Sequence, residues 1–187
     1  MVLFPPLRLG LLNGWIPILV LYAVFILLLK FVFPKETVAR LYDQSHWTKN
    51  QATMAKIGLP FALAGMILVL VTPLKINLPV FWIGLALYLI GFAGFLISLK
   101  NFNSTPLTEP IVRGLYKFSR NPQWVAFAIT IIGTSFMVGS WAAFLLFLVR
   151  VILNHFRILG EERALEIQYG ESYLVYKKSI PRYLLFF

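Results

Sequence analysis

Four polar residues in the last strongly apolar part of the chain have types and a spacing suited to binding a charged ligand. They are Arg150, Asn154, Arg157 and Glu161. Their spacing of four, three and four positions places them on one face of a helix, with Glu162 one position further round. A cation at bilayer depth normally faces a partner or a wet cavity, so the stripe predicts a shared polar cavity. The alternative is that Arg150 reaches the lipid headgroups and that Glu161 pairs with Arg157 only for solubility.

A second polar stretch, RGLYKFSRNPQW at 113–124, lies between two apolar segments. It combines cations, a turn-forming Asn-Pro pair and two aromatic anchors. Basic loops are common on the cytoplasmic side of membrane proteins, so Arg113 and Lys117 are interpreted as headgroup contacts. Together with the Glu161-Glu162 pair, about forty residues later, the stretch predicts one wall of a ligand site.

Several kinds of chemistry are excluded by what the chain lacks. There is no cysteine, which removes disulfides, thiolate nucleophiles and Cys-based metal sites. The two histidines, His46 and His155, form no H-x-x-x-H or H-E-x-x-H pattern, so no metal site is predicted. There is no G-x-S-x-G motif to indicate a serine nucleophile.

The composition indicates a membrane protein. Of the 187 residues, 59% are hydrophobic and only 13% are charged, whereas soluble domains are about a quarter charged. The net charge of +10 is explained by cationic cytoplasmic loops, so no nucleic-acid partner is predicted. The first apolar block is long and lacks a small-residue cleavage site, so it is expected to remain as a span.

Five apolar blocks approach the ~20 residues needed to cross a bilayer. They are 15–33, 57–71, 78–99, 124–138 and 141–156. The last two are separated only by Gly139 and Ser140, which predicts a tight helical hairpin. The predicted fold is therefore all-α and integral to the membrane, with about five transmembrane helices.

The loop charges predict an orientation. The connections 34–56 and 100–122 carry four Lys or Arg each, whereas the opposite side has only Arg8 and Lys75. The positive-inside tendency then places the N-terminus outside and the C-terminus in the cytoplasm. The membrane is expected to be the inner or plasma membrane of a prokaryote or the endoplasmic reticulum of a eukaryote.

The chain after residue 157 changes character. Apolar and charged residues alternate there as in an amphipathic helix, with glycines at 160 and 170. We predict a helix leaving the membrane, a short cytoplasmic interfacial helix and an extended aromatic tail. The whole chain, 1–187, is predicted to be one membrane domain, with two N-terminal spans in 1–77 and a core with the ligand site in 78–187.

Glycines in the third apolar block repeat at helical spacing. Gly84, Gly91, Gly94 and Ser98 are seven, three and four positions apart. Small residues in such a stripe usually let two helices approach closely. The alternative is that they leave room for a flat ligand.

The motifs in order resemble the membrane methyltransferases that include isoprenylcysteine carboxyl methyltransferase and phospholipid N-methyltransferases. The family pattern is roughly G-x-Y-x-x-x-R-[HN]-P-x-[aromatic], then E-E-x-x-L, then aromatic-G-x-x-Y-x-x-Y and Val/Ile-Pro. The matching positions here are Gly114, Tyr116, Arg120, Asn121, Pro122 and Trp124; Glu161, Glu162 and Leu165; Tyr169, Gly170, Tyr173, Tyr176, Ile180 and Pro181. The resemblance covers residues 80–187. Asn121 stands where the isoprenylcysteine branch usually has His, which leaves the substrate open.

The resemblance implies S-adenosyl-L-methionine as methyl donor and S-adenosylhomocysteine as product. Residues implied at the cofactor are Gly114, Leu115, Tyr116, Arg120, Asn121, Pro122, Glu161 and Glu162. Arg120 is suited to the donor carboxylate, and the glutamates to its hydroxyls and amino group. Pro122 leaves free amides at a helix N-terminus, where an anion is favoured.

The acceptor implied is lipidic or prenylated, entering between the helices, with membrane lipids as further partners and the oligomeric state open. Residues proposed for catalysis are Arg120, Glu162, Arg157 and Asn154. Either Arg150 or Arg157 orients an anionic acceptor, or His155 takes a proton.

Two alternatives to a methyltransferase remain at this point. Membrane sterol reductases resemble the same C-terminal layout, including Arg-Asn-Pro, but use NADPH. A non-enzymatic membrane scaffold is the other, although intact Arg120, Glu161 and Glu162 argue against it.

Overall fold

The computed structural model describes residues 1–184, and this part of the chain is helical. Its helices are α1 (Trp15–Phe31), α2 (Lys35–Leu41), α3 (Lys49–Leu70), α4 (Pro79–Asn103), α5 (Pro122–Met137), α6 (Trp141–Tyr169) and α7 (Glu171–Ser179), with a 3-10 turn at Gly114–Lys117. Three of them, α3, α4 and α6, are long and apolar enough to cross a membrane. The apolar helices α1 and α5 are shorter, at 17 and 16 residues. The predicted all-α membrane architecture is confirmed.

The second apolar helix begins earlier than its apolar block. A capping box starts α3, in which the backbone N–H of Gln51 donates to Thr48 Oγ1 at 3.3 Å. The backbone N–H of Thr48 donates in return to Gln51 Oε1 at 2.8 Å. These bonds satisfy amides that a helix start leaves free. The first two turns of α3 are polar, so hydropathy alone places its start too late.

The last spanning helix continues well past its apolar part. Gly160 does not interrupt α6. It lies against Trp47, whose ring would be 3.1 Å from an added Cβ, so a small residue is needed there. Gly170, with a φ of +54°, ends α6 and α7 follows at once. The predicted tail follows α7, and its residues 185–187 lie outside the described part of the chain.

Glycines bring α4 and α5 into close contact. A Cβ added at Gly91 would lie 2.6 Å from the backbone nitrogen of Thr130, and one at Gly84 would lie 2.5 Å from that of Met137. Gly133 of α5 approaches the backbone of Tyr88 in the same way. The glycine stripe of α4 is therefore filled by α5, as expected for close helix packing and not for a flat ligand.

The other long contact is between α3 and α6, where Gly65 faces the ring of Phe147. Helices α5 and α6 form the predicted hairpin, turning at Gly139, which has a φ of +67°. The N-terminal segment covers this turn, since Val2 exchanges backbone hydrogen bonds with Gly139 and Trp141. Helix α2, the 3-10 turn and α7 gather at the other end of the bundle.

Candidate active site

The carboxylate of Glu162 is the centre of a buried polar cluster. It accepts hydrogen bonds from Arg120 Nε at 3.1 Å, from Asn121 Nδ2 at 3.1 Å and from Arg182 Nη2 at 3.0 Å. The side chains of Arg120 and Glu162 are each only 3% exposed. We call these four residues the Glu162 cluster. Two guanidinium groups share one carboxylate, so the cluster carries a net positive charge.

Arg120 also attaches the chain after α7 to the loop before α5. Its Nη1 donates to the carbonyl oxygens of Lys177 at 2.5 Å and Ile180 at 2.9 Å. Its backbone N–H donates to Pro181 O at 2.9 Å, and Ser119 Oγ donates to Arg182 O at 3.0 Å. The loop and the tail therefore form one structural unit, although they are about sixty residues apart.

The 3-10 turn before Arg120 depends on a glycine. Gly114 has a φ of +59°, and an added Cβ would lie 2.1 Å from Asn101 Oδ1. That oxygen accepts from the backbone N–H of Leu115 at 3.2 Å. Tyr116 is then buried, with its carbonyl accepting from Tyr176 Oη at 2.7 Å. Burial raises the pKa of the Tyr116 hydroxyl above its ordinary value, so the phenol stays protonated and donates to Gln123 Oε1 at 3.4 Å.

A polar cavity lies beside the Glu162 cluster. Its water-accessible volume is about 90 Å³. Charged groups of both signs line it: Arg40, Asp43, Arg120 and Glu161. The remaining lining residues are Leu41, Phe102, Ile111, Tyr116, Asn121, Gln123, Ala164, Leu165, Gln168, Tyr173 and Tyr176. Such a lining suits a ligand that carries both an anionic and a cationic group.

A second cavity adjoins the polar one. Its water-accessible volume is about 140 Å³, and the two cavities share Leu41 and Gln123. Its other lining residues are Leu21, Tyr22, Phe25, Tyr42, Phe95, Leu99, Trp124, Phe127 and Arg157. We call it the apolar cavity. It lies between α1, α4 and α5, and most of its lining residues are apolar.

Arg157 and Glu161 form the boundary of the two cavities. Arg157 Nε donates to Glu161 Oε1 at 2.8 Å, and Trp124 Nε1 donates to Glu161 Oε2 at 2.9 Å. The Arg157 guanidinium lies 4.4 Å from the ring centroid of Trp124 and 5.5 Å from that of Trp47. Both carboxylate oxygens and the cation are therefore held in fixed positions.

The comparisons with known proteins agree with this architecture. The family model described as phospholipid methyltransferase matches residues 64–172, more than half of the chain. The chain belongs to the phospholipid methyltransferase family. Protein-S-isoprenylcysteine O-methyltransferase of Schizosaccharomyces pombe is 33% identical over 92 residues, which are 48% of this chain and 37% of that protein. The chain thus spans little more than a third of that relative's length. No solved structure matches the chain.

The family match covers both halves of the predicted site. It includes the 3-10 turn with Gly114, Leu115 and Tyr116, the Arg120–Pro122 loop and the Glu161-Glu162 pair. In the structure Tyr116, Arg120, Asn121 and Glu161 line the polar cavity, whereas Glu162 is bonded behind it. Gly114 and Leu115 shape the turn, and Pro122 is the first residue of α5.

Two residues predicted for catalysis do not line the polar cavity. Arg157 lines the apolar cavity, and Asn154 lines a separate groove between α5 and α6 together with Arg150 and His155. The stripe on α6 thus faces more than one cavity. Among residues 1–184 there is no group of three His, Cys, Asp or Glu that could hold a metal ion.

Several residues of the site are not predicted from the sequence. Arg182 completes the Glu162 cluster, and its position directly after the Ile-Pro motif is a signal that could have found it. Gln123, inside the polar stretch, lies where the two cavities meet. Arg40 and Asp43 come from the segment around α2, before the family match begins, and no motif marks them.

Proposed function

We propose that this protein is an S-adenosylmethionine-dependent methyltransferase that acts on a lipidic acceptor. The observation that carries the proposal is the junction at Gln123, where a polar cavity with both signs of charge meets an apolar cavity. A polar donor can enter from one side and an apolar acceptor from the other. Membership of a methyltransferase family supports the assignment of the polar cavity to a methyl donor and of the apolar cavity to an acceptor.

The residues of the polar cavity fit the donor. S-adenosylmethionine supplies a methyl group on a cationic sulfur, and it carries a carboxylate, an amino group, hydroxyls and an adenine. Arg40, and Arg120 through Nη2, are suited to the carboxylate. Asp43 and Glu161 are suited to the amino group and hydroxyls. The buried aromatic cluster of Phe102, Tyr116, Tyr173 and Tyr176 offers rings for the adenine.

Glu162 acts in this proposal as a positioning residue. Four donor atoms from three residues already occupy its carboxylate. It fixes the orientation of Arg120 and Asn121 before the donor binds. Methyl transfer mainly requires alignment of the reactants and exclusion of water. Side chains that are held in position before the donor binds therefore increase the rate.

The lining of the apolar cavity favours an acceptor that is already an anion. Among the described residues that line it there is no Asp, Glu or His, whereas Arg157 lines it. An amine must lose a proton before it attacks, but a carboxylate needs no base. We therefore propose a lipid carboxylate as acceptor, with Arg157 orienting it and a methyl ester as product. The O-methyltransferase name of the isoprenylcysteine relative supports the same chemistry.

The test is methyl transfer by the purified protein from donor labelled in its methyl group. A prenylated cysteine with a free carboxylate and a phosphatidylethanolamine are offered as alternative acceptors. We expect label in a lipid product that base converts to methanol, as a methyl ester does. The methyl ester of the prenylated cysteine is the control, because its carboxylate is blocked. Label stable to base on the aminophospholipid would overturn the carboxylate assignment while keeping methyl transfer.

A binding measurement tests the donor itself. S-adenosylhomocysteine at 100 times its dissociation constant should stabilise the detergent-solubilised protein by about 2.7 kcal/mol. NADPH is the matched comparison for a reductase. Stabilisation by NADPH alone, or by neither ligand, would contradict the proposal.

A further inference from the structure

The loop between α2 and α3 turns one aromatic ring into the protein. Residues 42–46 of this loop are exposed, whereas Trp47 is half-buried. The backbone N–H of Trp47 donates to Gln44 O at 3.2 Å, which closes a turn, and the next residue, Thr48, caps α3. The backbone of Trp47 is therefore fixed on both sides.

The ring of Trp47 lies on α6. A Cβ added at Gly160 would be 3.1 Å from the Cγ and Cδ1 atoms of the indole, so the ring lies close against the helix. Arg157 comes one helical turn before Gly160, and its guanidinium carbon is 5.5 Å from the centroid of the Trp47 ring. This distance is within the range of a cation–π contact. Trp47 thus joins a loop that precedes the family match to the boundary of the two cavities.

The indole is held there without a hydrogen bond from its own N–H. Trp47 Nε1 is buried and has no hydrogen-bond partner within residues 1–184. A buried donor without a partner is unfavourable, so a phenyl ring would fill this space at less cost if packing were the only role. Tryptophan is, however, the side chain whose ring face attracts a cation most strongly. The residue type at position 47 therefore fits a contact with Arg157 better than it fits packing alone.

This contact leaves most of the hydrogen-bonding capacity of Arg157 free. Among the described residues, the Arg157 side chain makes one hydrogen bond, from Nε to Glu161 Oε1. An aromatic face attracts a cation without neutralising it, whereas a second carboxylate would pair with its charge. Trp47 and Trp124 together hold the guanidinium while its two terminal nitrogens keep their N–H groups for another anion.

We propose that Trp47 is a positioning residue for the methyl acceptor. It lines neither the polar nor the apolar cavity, so it acts through Arg157 and not by contact with either substrate. Because it holds the guanidinium at the wall of the apolar cavity, Arg157 loses less side-chain freedom when the acceptor anion binds. The inference rests on the proposed function, since a fixed cation favours an acceptor only if that acceptor is an anion.

Steady-state kinetics with the prenylated cysteine that has a free carboxylate test the assignment. Trp47→Leu should raise KM for this acceptor by about fivefold, the value of a partly buried cation–π contact. Trp47→Phe keeps an aromatic face and should remain within about twofold of the wild type. The kcat at saturating acceptor and the dissociation constant of S-adenosylhomocysteine should change much less, because Trp47 does not line the polar cavity. His46→Ala, at an exposed position of the same loop, is the matched control and should leave all three values unchanged.

A double-mutant cycle with Arg157→Gln shows whether Trp47 acts through Arg157. In the Arg157→Gln protein, Trp47→Leu should raise KM no further, because the cation that the ring holds is gone. An additive increase, an unchanged KM in Trp47→Leu, or equal effects of Trp47→Leu and Trp47→Phe overturns the proposal. A parallel loss of kcat, acceptor affinity and S-adenosylhomocysteine binding would show a general structural role and also overturn it.

The same variants separate this inference from the proposed function. If Arg157→Gln raises KM and Trp47→Leu does not, only the role of Trp47 fails. If Arg157→Gln leaves KM unchanged, the anionic acceptor fails, and the positioning role fails with it. Where a variant is too unstable for kinetics, the free energies of unfolding of the cycle are compared, with Trp47→Phe in place of Trp47→Leu. Their losses should not be additive, and additive losses overturn the contact between the two side chains.

Discussion

The carboxylate of Glu162 holds Arg120, Asn121 and Arg182 together, and we propose that it orders the donor site without contacting the donor. Removing it leaves the Arg120 guanidinium buried beside Arg182 with no counter-charge. Two buried guanidinium groups without a counter-charge repel each other and are poorly solvated, and both effects destabilise the folded state.

Glu162→Ala should destabilise the protein by about 3 to 5 kcal/mol, because it breaks a buried ion pair by removing one partner. The free energy of unfolding of the detergent-solubilised protein measures the effect. Glu166→Ala is the matched control on the same helix, since the Glu166–Lys177 pair is about one-third exposed; it should cost about 1 kcal/mol or less. Equal losses in the two variants would show that the Glu162 cluster is not what holds the loop to the tail.

Arg157 is predicted to act on the acceptor more than on the donor. Arg157→Gln should raise KM for a carboxylate acceptor by about tenfold or more, the value of one charged hydrogen bond. The dissociation constant of S-adenosylhomocysteine should change much less. Arg163→Gln serves as control, because Arg163 is exposed and lies outside both cavities. A loss confined to donor affinity would place Arg157 in the donor site.

At the scale of elements, the 3-10 turn and the end of α6 each contain a glycine with positive φ, but only one of them is crowded. Gly114→Ala places a Cβ against Asn101, whereas at Gly170 nothing lies within 4 Å of the added carbon. Each substitution carries the conformational cost of positive φ, about 1 to 3 kcal/mol. We expect Gly114→Ala to cost more than Gly170→Ala in unfolding free energy and, unlike it, to weaken S-adenosylhomocysteine binding. The reverse order would mean that the turn adapts by moving Asn101.

The elements that the sequence predicts best are those with uniform hydropathy. The apolar block at 78–99 and the hairpin at Gly139 have strong local signals, and the structure has both. The start of α3 is hidden because its first turns are polar. The divergence of α5 and α6 cannot be inferred from the hairpin, because it results from each helix packing on a different earlier partner.

The candidate site likewise contains residues that motifs mark and residues that only the packing reveals. Arg120, Asn121 and Glu162 belong to motifs, and the structure brings them together. Arg40 and Asp43 are distant in sequence and carry no motif, so only the packing of α2 reveals them at the cavity. The roles of all these residues in catalysis stay predictions until they are measured.

At the scale of the whole molecule, Arg40 connects α2 to the loop between α4 and the 3-10 turn, beside the polar cavity. Its Nη2 donates to Glu109 O at 3.0 Å and its Nη1 to Pro106 O at 3.4 Å. The guanidinium also lies over the rings of Phe102 and Tyr169. This one side chain therefore links the N-terminal part of the chain to the matched family region.

Arg40→Gln should weaken S-adenosylhomocysteine binding by about tenfold, since it removes a cation from the cavity and loosens α2. Isothermal titration calorimetry on the detergent-solubilised protein gives the dissociation constant. Lys35→Gln removes an exposed cation from the same helix and should leave binding unchanged. Unchanged affinity in Arg40→Gln would confine the donor contacts to the segments after α4.

The two cavities draw on different parts of the chain, and this has an evolutionary consequence. The family match begins at residue 64, yet Leu21, Tyr22, Phe25, Leu41 and Tyr42 of the apolar cavity all precede it. The polar cavity rests mainly on the matched region, apart from Arg40, Leu41 and Asp43. Under the proposed function, mutation in α1 therefore changes which lipid is selected while the residues proposed for the donor are kept. We expect paralogues to diverge in substrate first through α1.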